Sequence, residues 1–223
     1  NTAQIYWRYP DHLFVKGKKS VIEEAISVLR DSLFQRVTID SITIDLDFFL
    51  WLFYQKFTDN EKMSSLARLT DITLGGSKSD SFGEHVAVQE STDVTKSAPA
   101  LMGILTNKPV TSIEGDFVLD GEMLRAQIGQ GEAHVKVSSR DLSDHSDIKR
   151  LANALEFLEY FYTIYQEWQA LSPSKKYPPL DFFEEIYERC EEQGFTINFN
   201  LDKALKEYAA KRDEQPSDYG YKV

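Results

Sequence analysis

The sequence predicts an α+β protein: a curved antiparallel β-meander packed against a long helix of the C-terminal half. An N-terminal β-α-β-α segment precedes it and a helix-strand-helix follows. Three observations carry this expectation. Short apolar runs separated by turn residues fill positions 66–138. One helical pattern then continues without Gly or Pro to Leu171. Regular alternation of strand and helix is missing from the middle of the chain, which argues against a doubly wound parallel sheet. With 223 residues, 42% of them hydrophobic and 13% aromatic, the chain can bury a real core, and one domain over 1–223 is expected. Sub-divisions are expected at 1–60, 61–171 and 172–223.

In chain order, Ile5, Tyr6 and Trp7, then Leu13, Phe14 and Val15, predict an irregular strand broken at Pro10 and closed by Gly17. Ser20 and Glu23 have capping-box spacing, and Ile22, Ala25, Ile26, Leu29 and Leu33 recur at helical intervals. Val37, Ile39, Ile42 and Ile44 read as a second strand. Asp45 or Asp47 then caps a helix through the aromatic block to Phe57.

The runs 66–74, 85–88, 101–105, 110–119, 122–128 and 133–138 predict the meander. Asp120-Gly121 marks a two-residue hairpin, because both central positions of that turn need positive φ. Gly75 to Gly83 and Gln89 to Pro99 read as loops. From Asp144 or Ser146 the long helix shows Leu151, Leu155, Leu158, Phe161, Tyr162, Tyr165 and Trp168 over well over half its circumference, so it needs cover on two sides. A short helix capped by Asp181 and ended by Gly194, a strand over 195–199 and a last helix from Asn200 complete the chain.

Twenty-five Lys and Arg against 36 Asp and Glu leave a net charge of −11, which argues against general binding to nucleic-acid phosphates or anionic lipid. The most apolar short run, Phe48 to Tyr54, falls far short of the roughly 20 residues of a membrane span, so no membrane insertion is expected. The single cysteine, Cys190, has no partner for an internal disulfide, which points to a reducing, cytoplasmic compartment. It falls on the apolar side of its helix and reads as a buried, inert thiol. The four histidines are scattered and no zinc-ligand spacing occurs, so no metal site is expected from them.

Two carboxylate patterns carry candidate chemistry. Ile42-Thr43-Ile44-Asp45-Leu46-Asp47 is an apolar run ending in DxD, and Gly115-Asp116-Phe117-Val118-Leu119-Asp120 has GDxxxD spacing. Together they are similar to two motifs of haloacid-dehalogenase-type phosphotransferases. The resemblance covers about a dozen residues and implies Asp45 as nucleophile, Asp47 as general acid/base, and Asp116 and Asp120 as ligands of Mg²⁺. The sequence departs from that family at Phe49, where a small hydroxyl or β-branched residue belongs, and lacks the parallel scaffold between the motifs. Helix capping explains Asp45 and Asp47 without catalysis, and a hairpin explains Asp120.

Asp116, Glu122, Arg125, Gln127, Glu132, His134 and Lys136 form a second cluster on the hairpin strands, several of which alternation places on one sheet face, read as solvated with cross-strand ion pairs. Tyr160, Phe161, Tyr165 and Trp168 on the long helix are candidates for a ligand or partner surface, since Tyr and Trp combine apolar area with a polar tip.

Three functions follow in order. The first is a non-catalytic binding or regulatory module acting through protein contacts, as a homo-oligomer or within a complex. The second is a small-molecule carrier or sensor with an apolar cavity between sheet and long helix. The third is the Mg²⁺-dependent phosphotransferase of the DxD resemblance.

Overall fold

The computed structural model describes residues 2–8, 11–33, 38–60, 63, 65–75, 85–130, 133–137, 147–195, 201–215 and 217. Two compact units make up the chain, Asn1–Ile42 and Thr43–Val223. The architecture is mixed helix and antiparallel strand, an α+β fold.

The N-terminal unit holds strands β1 (Gln4–Arg8) and β2 (His12–Lys16) and helix α1 (Lys19–Leu33). The strands form an antiparallel pair with Tyr6 opposite Phe14, Ile5 opposite Val15 and Trp7 opposite Leu13. The single broken strand expected over 5–16 is therefore a hairpin. Polar Arg8, Asp11 and His12 flank the reversal, and the two apolar runs lie antiparallel across it. Residues 9 and 10 lie outside the described residues. Helix α1 begins at Lys19, one residue before the expected Ser20 cap, with the Lys18 carbonyl accepting from the Val21 and Ile22 N–H groups. Arg30 donates through Nε to the Ile39 carbonyl (3.1 Å) and through Nη2 to Ser41 Oγ (3.3 Å). That segment is not the expected strand: residues 38–45 hold no regular structure, and its β-branched residues have no strand to pair with among the described residues.

The C-terminal unit is built on a five-stranded antiparallel sheet in the order β4-β3-β5-β6-β7. Its strands are β3 (Leu66–Gly75), β4 (His85–Val88), β5 (Val110–Leu119), β6 (Glu122–Gly129) and β7 (Ala133–Val137). Only β5-β6-β7 is a simple meander. The run expected as a strand at 101–105 lies in helix α3 (Ala98–Leu105), and β5 returns on the side of β3 away from β4. Pro99 explains the helix: it cannot donate to a ladder but suits a first helical turn, and the short apolar run that follows is ambiguous by pattern alone. Asp120 and Gly121 turn the β5-β6 hairpin with φ of 47° and 83°, as their types require.

Strand β3 does not alternate throughout: its buried apolar side chains are Leu66, Leu69, Ile72 and Leu74, the first three of them three residues apart. Register shifts against β5, between Leu66 and Arg68 and between Leu69 and Asp71, return each to the inner face. Gly115 sits opposite Leu69, where a Cβ would come within 2.7 Å of the Arg68 carbonyl oxygen. The bulged pairing therefore needs glycine there.

Helix α2 (Leu46–Phe57) is capped by Asp45, one of the two residues expected there, whose side chain accepts from the Asp47 N–H. Phe48, Phe49, Leu52 and Phe53 are wholly buried, each contributing about 1.5–3 kcal/mol of transfer free energy. Helix α4 (Asp147–Gln169) is the expected long helix, and residues 144–146 lie outside the described residues. Phe157 packs its ring 4.8 Å from that of Phe117 on the sheet, while Phe161, Tyr165 and Trp168 surround Phe48 at 5.1–5.6 Å. Its double apolar face is thus covered by sheet and α2.

After the single turn α5 (Pro173–Lys176), helix α6 (Leu180–Glu192) buries Phe182, Phe183, Ile186 and Cys190. Pro179 rather than Asp181 precedes it, so Asp181 lies in the first turn. Helix α7 (Leu201–Arg212) meets α6 through Tyr208 against Phe183 at 4.2 Å. Residues 196–200, with the expected strand and Asn200 cap, lie outside the described residues.

Candidate functional site

A cleft of about 540 Å³ opens at the N-terminus of α2, lined by Thr43, Ile44, Asp45, Leu46, Asp47, Pro109, Gln130 and Tyr165. Backbone pairing shapes it: the Ile44 N–H donates to the Gln130 carbonyl at 2.8 Å, fastening the approach to α2 onto the end of β6. The Tyr165 hydroxyl accepts from the Asp45 N–H and donates to the Thr43 carbonyl, each at 3.3 Å. Two sets of residues picked out for different reasons, the DxD carboxylates and a ring of the long helix, thus meet in one place.

Their chemistry is largely committed. Asp45 spends one oxygen on the cap (2.9 Å to the Asp47 N–H). Asp47 pairs with Lys211 Nζ at 3.2 Å, and Lys211 also reaches Glu207 at 3.7 Å and lies over the rings of Tyr208 (5.3 Å) and Tyr177 (5.8 Å). Burial, then the charges of Asp47 and Glu207, push the Tyr208 phenol above its ordinary range. Burial, with Asp47 and Asp45, does the same to Tyr177. Both phenols stay neutral. Sequence reasoning missed Lys211, Tyr177 and Tyr208, which join the site from more than 100 residues away and carry no local motif.

Asp116 lies elsewhere, on the outer face of the sheet. Its Oδ2 is 2.6 Å from Arg68 Nη2, and its Oδ1 accepts from Arg125 Nε at 2.8 Å. Burial works to raise this carboxyl, but hydrogen bonds from Arg125 and Arg68, with their charges, outweigh it and hold the pKa below the usual range. Beside it Glu114 is raised, by burial and by the charge of Asp71, against the pull of Arg125 at 3.8 Å. Alternation identifies Asp116, Arg125 and Gln127 as one face, and the register sets Arg125 opposite Lys136 and Gln127 opposite His134. Arg68, hidden in a strand that does not alternate, escapes that reasoning. Asp120 serves the hairpin turn.

Among the described residues no three His, Cys, Asp or Glu side chains gather where a metal ion would be held. Asp45 and Asp47 cap and brace α2, Asp116 binds two guanidinium groups and Asp120 turns a hairpin, so each has a structural task. Phe161, Tyr165 and Trp168 are buried, and Tyr160 is half-buried with its hydroxyl bonded to Ser65 Oγ. Their area is spent inside this unit. Cys190 is fully buried, and burial pushes its thiol pKa up.

No helix among the described residues is long and apolar enough to cross a membrane. No protein-family model, curated protein or solved structure matches this chain.

Proposed function

We propose that the protein is a non-catalytic binding module that works through protein–protein contacts, and that the contact surface lies in its N-terminal unit. One observation carries this reading: no described residue of Asn1–Ile42 is buried, and Ile5 and Trp7 stand 44% and 42% exposed on one face of the hairpin. A unit this small lacks the burial that stabilises a domain, and a partner surface is one of the remedies open to it. The aromatic rings of α4 need no partner, since sheet and α2 already cover them. A net charge of −11 disfavours nucleic acid as the partner. The buried lone thiol supports a reducing, cytoplasmic setting.

The test is native mass spectrometry of the protein isolated gently from the cells that make it. An assembly larger than the 25.6 kDa chain is expected. A lone chain would overturn the reading. A lone chain carrying added small-molecule mass would favour a second one, a carrier or sensor using the cleft at Asp45, Asp47 and Tyr165, whose volume suits a small ligand.

A further inference from the structure

Charge is divided unevenly along the chain. Asn1–Ile42 carries six Lys and Arg and five Asp and Glu, a net of +1, and the remainder carries 19 and 31, a net of −12. Two copies meeting through their C-terminal units bring −12 against −12. Two copies meeting through their N-terminal units bring together units of almost no net charge, so self-association meets the least repulsion there.

That unit also offers a template. Its sheet has two strands, so among the described residues neither outer edge is paired with a third. An uncovered edge presents a row of N–H and C=O groups to any extended chain. The two edges differ. Four of the five residues of β1 are exposed and only Tyr6 is half-buried, whereas in β2 only Lys16 is exposed.

We infer that β1 is a self-association edge, where two copies pair antiparallel about a two-fold axis at Tyr6 to make one four-stranded sheet. The inference rests on the protein-contact reading above and names its partner as a second copy of this chain. Register supports it. A two-fold at Tyr6 sets Ile5 of each copy opposite Trp7 of the other, an aliphatic–aromatic cross-strand pair made twice, and sets Gln4 opposite Arg8. The surface is self-complementary, as an isologous interface must be. The same operation on β2, centred on Phe14, sets His12 opposite Lys16 and joins residues already half-covered.

The experiment uses the full chain, purified, with single cysteines introduced at the edge. Cys190 is buried and gives little background. Tyr6→Cys places two thiols directly opposite, where antiparallel Cα atoms stand about 4.5–5.5 Å apart, inside disulfide range. Ile5→Cys and Trp7→Cys each sit about 8 Å from their own copies, since two residues of offset add about 7 Å along the strand, so neither cross-links alone. Mixed together, these two variants cross-link to each other. Phe14→Cys stays monomeric. Sedimentation of the wild type is expected to show a dimer, and Trp7→Lys a monomer with unchanged circular dichroism.

A wild type that sediments as a monomer, or cross-links at Phe14 without Tyr6, would overturn the assignment to β1. Persistence of the Trp7→Lys dimer would overturn it as well. These failures differ from failure of the functional reading. A monomer in isolation that still travels in an assembly from cells removes self-pairing and leaves the binding module standing.

Discussion

Asp116 shows how a single carboxylate is tuned by what lies over it. Its side chain is 5% exposed, yet it sits on the outer sheet face, covered by guanidinium groups that are themselves 48% and 38% exposed. Because those cations keep their contact with water, removing the anion does not strand them as it would in a dry core. Asp116→Asn is therefore expected to cost about 1–2 kcal/mol rather than the larger penalty of a fully buried pair. The folded pKa is depressed, so this contribution is complete above the ordinary carboxylate pKa and fades as pH falls through that value toward the folded one. Urea titrations across acidic pH should show the variant losing less stability on acidification than the wild type; parallel loss would refute the assignment. Glu114 has the opposite sign. Its folded pKa is raised, so its charge is a burden near neutrality, and Glu114→Gln is expected to leave the midpoint unchanged or slightly higher at neutral pH. Of these residues Asp116 and Arg125 were legible by alternation, and Asp45 as a cap by its place before an apolar helix. Arg68 was not, because its strand hides its faces.

That hidden pattern belongs to the element. In β3 the buried Leu66, Leu69 and Ile72 stand three apart, a spacing that suits a helix as well as a strand, and the register shifts against β5 are what make them one sheet face. Gly115 is the other half of the device, since the bulged backbone approaches its α-carbon too closely for any Cβ. Gly115→Ala is expected to push β3 and β5 apart locally, at about 1–3 kcal/mol, with faster amide exchange in both strands. Slower or unchanged exchange there would show that the bulge yields freely. Elements whose pattern and termini agree are legible directly: α2 between Asp45 and Phe57, the β5-β6 hairpin at Asp120-Gly121, and α4, which ends at Gln169, two residues short of the predicted Leu171. Helix α3 escapes the pattern because the apolar run 101–105 is too short to display a period. What decides it is packing, with Leu101 wholly buried and Gly103 lying close against Leu74.

At the scale of the molecule, the two units differ in what holds them. The C-terminal unit concentrates every buried apolar residue, from Ile44 to Ala209, among the described residues, and its rings interlock around Phe48 and Phe182. The N-terminal unit has a hairpin, an amphipathic helix with no buried residue, and side-chain ties such as Arg30 to Ile39. Local opening free energy follows buried contact, so the two units should not exchange their amides as one. Native-state hydrogen exchange of the dilute protein should find β1, β2 and α1 opening well below the global unfolding free energy, while α2, β5 and α4 open only with it. Raising the protein concentration sharpens the test. If β1 pairs with its copy, protection should rise with concentration in β1 first, because that edge gains the new hydrogen bonds, and should leave α2 and β5 unaltered. Protection that is uniform across both units at every concentration would mean that the N-terminal unit draws its stability from within the single chain, and the case for a partner there would fall.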